Sequence, residues 1–147
     1  MTEPDKARQQ RLATMALADG AALAAAWDAL ADPPAFDVVR GPETGLVMLR
    51  GRIGGGGAPF NAGEAAMTRC VVQLADGAVG FGHVLGRDGA HAKAIALLDA
   101  LAQNPARTAE VDAILAPFAE ARATADAERA AEVAATRVEF FTMARGD

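Results

Sequence analysis

The apolar positions of this chain follow a helical rhythm at both ends and a strand rhythm in the middle. From Asp5 to Leu17 they recur at helical spacing, with Leu12, Met15 and Ala16 on one face. Asp19-Gly20 interrupts that run, and Gly20 suits a helix end. A second helix is predicted from Ala21 to Ala31, burying Leu23, Trp27 and Leu30. Asp32-Pro33-Pro34 stops it, because proline lacks an amide donor and restricts the residue before it. The rhythm then changes. Phe36 to Arg40 reads as a short strand and Gly41-Pro42 as a turn. Leu46 to Ile53 is a strand with Leu46, Met48 and Arg50 on one side, while Val47, Leu49 and Ile53 alternate less cleanly. Met67 to Leu74 is another, and Asp76-Gly77 is a strong hairpin signal that returns the chain as Ala78 to Leu85.

The helical rhythm resumes at Asp88, an N-cap for a helix from Gly89 to Ala102 with Ala94, Ile95, Leu98 and Leu101 inward. Asn104-Pro105 ends it. Thr108 is the expected cap of a helix reaching Ala116, where Pro117 breaks or kinks it. Glu120 to Thr136 is alanine-rich and charged, with high helix propensity but almost no large apolar face. VEFFTM, Val138 to Met143, closes the pattern as a compact apolar segment that covers the sheet or joins a partner. Short strands close in sequence favour an antiparallel sheet over βαβ units. The expected fold is therefore α+β. A single domain over residues 1–147 holds an antiparallel sheet of three to five strands, flanked by N-terminal and C-terminal helices. Its parts are a helical region 1–35, a sheet with a Gly-rich loop at 36–86, and a helical region 87–147.

Composition narrows the function. Hydrophobic residues make up 52% of the chain, but much of that is alanine, so the core is expected between Val38 and Leu101, where larger side chains concentrate. A net charge of −5 argues against non-specific binding to nucleic acid or an anionic membrane. The two N-terminal helices superficially resemble a helix-turn-helix, but acidity and scarce arginine disfavour DNA reading. No apolar run approaches a membrane span, and MTEPDKARQQ has no apolar signal core. A lone cysteine forms no internal disulfide, and a cytoplasmic location is expected. The chain contains no serine, which excludes a serine nucleophile.

The run GLVMLRGRIGGGGAPFNAGEAAMTRC, Gly45 to Cys70, is where chemistry concentrates. Arg50 and Arg52 lie two apart and share a face if the strand is regular. They are either an anion clamp or partners for carboxylates such as Glu43 or Glu64, with the salt bridges preferred. Gly54, Gly55, Gly56 and Gly57 follow, then Asn61, Glu64 and Arg69. Four successive glycines give up side-chain burial at a large entropic cost, so close approach by a ligand or another protein is expected there. Glycine amides can converge on a phosphate. Yet the run matches neither a Walker loop nor a dinucleotide fingerprint, and the interface or structural reading is preferred. Cys70 and His83 on the paired strand offer a thiol and a base, but with no orienting carboxylate. His83 and His91 with Asp88 or Glu64 match no tight metal motif. The residues themselves therefore nominate Arg50, Arg52, Gly54 to Gly57, Asn61, Glu64 and Arg69 for binding a ligand or partner. They nominate no catalytic or metal residue, and no cofactor for this chain. The Ala-rich helix and VEFFTM suit docking against another chain, a second copy included.

That central run, with the hairpin at Asp76-Gly77, LGRDGAHAKAIALLDAL and the terminal VEFFTMARGD, resembles the PhnG family, the G subunit of the bacterial carbon–phosphorus lyase system. The resemblance spans roughly Arg8 to Gly146. It implies a cytoplasmic core complex with PhnH-, PhnI- and PhnJ-like subunits that handles alkylphosphonates. It further implies a first step in which phosphonate displaces adenine from ATP, giving ribose 1-alkylphosphonate 5-triphosphate, on the I-like subunit. Carbon–phosphorus cleavage belongs to the J-like radical enzyme, whose iron–sulfur cluster one cysteine cannot hold. On this resemblance the chain is an accessory subunit. The alternative reading is an autonomous nucleotide- or phosphate-binding protein using the Gly54–Gly57 loop and its arginines.

Overall fold

A computed structural model describes residues 3–136. The apolar VEFFTM segment lies outside them. In chain order the elements are α1 (Glu3–Leu17), α2 (Gly20–Asp28), β1 (Phe36–Arg52), β2 (Pro59–Leu74), β3 (Val79–Leu85), α3 (Gly89–Ala102) and α4 (Thr108–Ala135). The strands form one antiparallel sheet in the order β1-β2-β3. This is the α+β arrangement expected, with three strands and helices toward both ends.

One helix organises the core. In α3 every residue from Ala94 to Leu101 is buried. It lies on the inner face of β2 and β3, over Cys70, Val72 and Val84, while Met15 of α1, Leu23 and Trp27 of α2, and Val111 and Leu115 of α4 close round it. The approach is unusually close. A Cβ built on Gly80 would stand 1.9 Å from the Ala96 carbonyl oxygen, and one on Gly82 would stand 1.8 Å from that of Ala92. Two glycines on the inward side of β3 thus let the alanine stripe of α3, Ala92, Ala96 and Ala100, seat directly on the strand backbone. Packing at crystal-like density leaves no room for a methyl there.

The helix boundaries carry several corrections. Asp19 is the N-cap of α2, its Oδ1 accepting from the Ala22 N–H at 2.8 Å, so Gly20 opens a helix rather than closing one. A Cβ on Gly20 would meet the His91 ring at 2.7 Å. Asp88 caps α3 as expected, accepting from the His91 N–H at 2.9 Å. Thr108 does not cap α4; its hydroxyl donates back to the carbonyls of Ala102 and Asn104. Nor does Pro117 end that helix. It sits at an exposed position, and α4 runs through it to Ala135. A missing amide is tolerable where the carbonyl it leaves unpaired is near water.

The middle of the chain differs more. Phe36–Arg52 is one strand, not two separated by a turn. The ladder absorbs extra β1 residues between Val38 and Arg40 and again between Arg40 and Glu43, around a cis Gly41-Pro42 bond. β2 likewise begins at Pro59, well before Met67. Beyond the kink the register is regular, from Glu43 opposite Arg69 to Leu49 opposite Gly63. Among the described residues only the base of this long hairpin is backed by helices. The rest, about Leu46 to Ala66, projects as a two-stranded arm.

Candidate functional site

The arm is built from residues that would ordinarily be buried. Leu46 is 64% exposed, Met48 53%, Leu49 44% and Phe60 45%, with Ile53 at the tip 79% exposed. Alternation puts Leu46 and Met48 on the face shared with the helical layer, marked by Thr44, whose hydroxyl meets that of buried Thr68 at 2.9 Å. Leu49 lies on the opposite face, so both faces of the arm are apolar. A two-stranded ribbon without a backing layer is marginal in water, and exposed contiguous apolar surface marks an interaction site.

At the tip the chain turns through the glycines. Gly54 and Gly55 have φ values of 61° and 76°, where a side chain is strained. Gly57 passes so close to the Ile53 carbonyl that a Cβ would lie 2.8 Å from its oxygen, whereas a Cβ on Gly56 would meet nothing. The turn itself therefore requires three of the four glycines. Two of the loop amides are used internally. Gly55 N–H donates to the Arg52 carbonyl at 3.4 Å and Gly57 N–H to that of Ile53 at 3.1 Å. Arg52 Nη1 donates to the Gly57 carbonyl at 2.9 Å and staples the loop to the strand.

The nominated residues fall into groups. Arg50, Arg52, Gly54 to Gly57 and Asn61 come together at the tip, with Arg50 opposite Asn61. Arg50, Gly51, Arg52, Gly55 and Pro59 line an open hollow of about 490 Å³. Glu64 lies farther down the arm, opposite Met48. Arg69 is separate again. It sits at the base, seven residue pairs from Arg50, a separation of roughly 24 Å at strand spacing. There Arg69 Nε donates to Glu43 Oε1 at 2.5 Å, and Arg40 reaches the same oxygen at 2.7 Å. The hydrogen bond from Arg69 and the charge of Arg40 hold the Glu43 carboxyl below its ordinary value. Of the two carboxylates expected to partner the tip arginines, Glu43 is thus committed elsewhere and Glu64 lies down the arm opposite Met48. Among the described residues Arg50 and Arg52 form no ion pair.

Of the remaining reactive side chains, Cys70 and His91 are held in the core. Cys70 is fully buried under α3, opposite Gly82, and burial pushes its thiol above the ordinary value. His83 pairs with Arg69 and faces outward, so the two are on opposite faces of the sheet and the Cys70–His83 pair does not form. His91 is buried, and its Nε2 is hydrogen-bonded to the Met15 carbonyl at 2.8 Å. No cluster of three or more His, Cys, Asp or Glu side chains suited to a metal occurs among the described residues. None of their helices is long and apolar enough to cross a membrane.

Sequence reasoning missed one polar centre. Asp99 is 2% exposed in the middle of α3. Its carboxylate takes a forked pair of bonds from Arg8, Nε at 2.9 Å and Nη2 at 2.7 Å, and also accepts the Phe81 N–H at 2.9 Å. The available signal was a single acid inside the apolar run AIALLDALA.

Comparison with known proteins places the sequence beside one family. The family model described as "Phosphonate metabolism protein PhnG" matches residues 6–146. The alpha-D-ribose 1-methylphosphonate 5-triphosphate synthase subunit PhnG of Rhizobium meliloti (strain 1021) is 49% identical over 140 residues, covering 95% of this chain and 90% of the relative.

Proposed function

This chain belongs to the PhnG family, and from that premise we propose that it is a subunit of an alpha-D-ribose 1-methylphosphonate 5-triphosphate synthase in phosphonate catabolism, acting by assembly rather than by bond chemistry of its own. The observation that carries this reading is the β1–β2 arm. Its apolar side chains are exposed on both faces, and its tip presents two arginines without carboxylate partners among the described residues. An isolated protein gains nothing from such an arm, whereas a companion subunit gives it both a backing layer and counter-charges. The companions are PhnH-, PhnI- and PhnJ-like chains. The tip of Arg50, Arg52 and the glycine turn meets the I-like subunit, where it orders that subunit's nucleotide site. Two of the side chains able to act as nucleophile or base support this division of labour, since Cys70 and His91 are engaged in the core.

The test is reconstitution. The chain is combined with the H-, I- and J-like subunits, the mass of the complex is measured, and adenine release from ATP with methylphosphonate is followed. Turnover is expected only in the assembled complex. Deleting the turn from Ile53 to Ala58 is expected to abolish incorporation or turnover. Adenine release by this chain alone would refute the reading. Tight calorimetric binding of ATP by the isolated chain would favour an autonomous nucleotide-binding protein instead.

A further inference from the structure

The sheet has two edges, and the chain treats them oppositely. On β3 the outward Phe81 N–H is taken by Asp99 Oδ2 at 2.9 Å, and the Val79 carbonyl by Gln103 Nε2 at 2.7 Å. Arg8, held by Asp99, lies 5.8 Å from the centre of the Phe81 ring and covers the strand from outside. Natural sheets blunt exposed edges in such ways.

Among the described residues no such device covers the arm's edge on β1. Its bonding pattern follows from β2. The Ala66 carbonyl points toward β3, where it accepts from Gly86 N–H at 2.8 Å. Its neighbours Ala65 and Met67 therefore face β1 and bond Val47 and Gly45, their partners in register. It follows that Thr44, Leu46 and Met48 turn their N–H and C=O groups away from β2. The ladder is unbroken from Glu43 to Leu49, so these groups form one straight row. No hydrogen bond among the described residues engages them. Of the side chains along this row Leu46 and Met48 are apolar and exposed, and none is a lysine.

We infer that this edge receives an extended segment of a companion subunit, which adds a fourth strand beside Gly45 to Leu49 and brings a carboxylate to Arg50 or Arg52. The inference rests on the subunit reading above and specifies its contact. Main-chain bonds to Leu46 and Met48 provide affinity, and alternate apolar side chains provide fit. A second copy of this chain is the poorer occupant. Because only Thr44, Leu46 and Met48 bond outward, a two-fold antiparallel pair must centre on Gly45, Leu46 or Val47. Those registers set Arg40, Pro42 or Thr44 against Arg50, and none brings a carboxylate opposite either tip arginine.

Residue-resolved amide hydrogen exchange tests this on the free chain and on the complex reconstituted with the H-, I- and J-like subunits. In the free chain the amides of Leu46 and Met48 should exchange far faster than those of Val47 and Leu49. In the complex Leu46 and Met48 should slow by about 100-fold or more. Met48→Pro removes an outward donor without touching the β1–β2 ladder. It should keep the free chain's melting temperature and reduce affinity for the companions at least ~10-fold, whereas Met48→Ala, which keeps the donor, should lose less. Unchanged exchange at Leu46 and Met48 in a complex that does assemble overturns the strand addition and leaves the subunit reading standing. Protection that grows with concentration of the chain alone overturns the choice of occupant. Failure to assemble refutes the subunit reading and the pairing with it.

Discussion

Gly82→Ala is the sharpest perturbation of the core. The added methyl would lie 1.8 Å from the Ala92 carbonyl oxygen, 2.8 Å from its carbon and 2.9 Å from the Ala96 nitrogen, where real contacts keep at least 3.0 Å. All three are backbone atoms of α3, so no rotamer change relieves the clash. The helix must retreat by about 1.2 Å, and it carries Ile95, Leu98 and Leu101 with it, each no more than 2% exposed. A gap of that size forfeits about half or more of the dispersion attraction between the atoms it separates across the helix–sheet interface. Overpacking usually costs about 1–3 kcal/mol, and a rigid backbone neighbour places this case at about 3 kcal/mol or above. For a domain of this size that is a fall in melting temperature of roughly 9–15 °C. Thermal unfolding followed by circular dichroism measures it. Gly45→Ala is the control, because a Cβ there meets nothing within 4 Å and should move stability by under about 0.5 kcal/mol. Ala92→Gly should not rescue Gly82→Ala, since the obstacle is a carbonyl and not the alanine methyl. A Gly82→Ala protein melting within about 2 °C of the parent would refute the direct seating of α3 on β3.

Three further outcomes are expected. Gly56→Trp should leave the free chain's melting temperature unchanged, because its Cβ meets nothing, yet weaken assembly with companion subunits at least ~10-fold; equal assembly by titration would remove the tip from the interface. Cys70 should resist a thiol-reactive dye in the folded chain and react on unfolding, since burial raises its thiol pKa and blocks access; rapid labelling under native conditions would contradict that. The carboxyls of Glu43 and Asp112 are held below their ordinary values of 4.5 and 3.8 by Arg69 with Arg40, and by Arg11. Their contribution is present above those values and lost as pH falls through the depressed folded ones. Asp112→Asn should therefore flatten the acid limb of a stability–pH curve, and an unchanged limb would show that the Arg11–Asp112 bond contributes nothing.

What the sequence made legible followed from local signals. Asp88 four residues before Ala92, with apolar spacing behind it, specified α3 to its ends. Asp76-Gly77 specified the β2–β3 turn. Pro42 and Pro117 misled for a common reason. Each lies at an exposed position of its element, where a lost donor can be tolerated, and sequence alone does not reveal that exposure. The site was half legible. Arg50, Arg52, the glycines and Asn61 are indeed neighbours, while Arg69 is separated from them because the hairpin is longer than its apolar runs suggested. The pairing of Arg8 with Asp99 joins residues 91 positions apart, a separation no local pattern encodes.

The shut rim of β3 has a consequence for how far association can travel. A ribbon able to accept neighbours along both margins can stack without limit, the route by which sheets become fibres. Here Asp99 and Gln103 occupy the Phe81 N–H and the Val79 carbonyl, two of the groups that a second newcomer would require. Any strand that docks on β1 leaves beyond β3 only this blunted margin, so growth by this route is opposed after a single addition. A chain that must expose greasy ribbon before its companions arrive is thereby kept from polymerising while it waits.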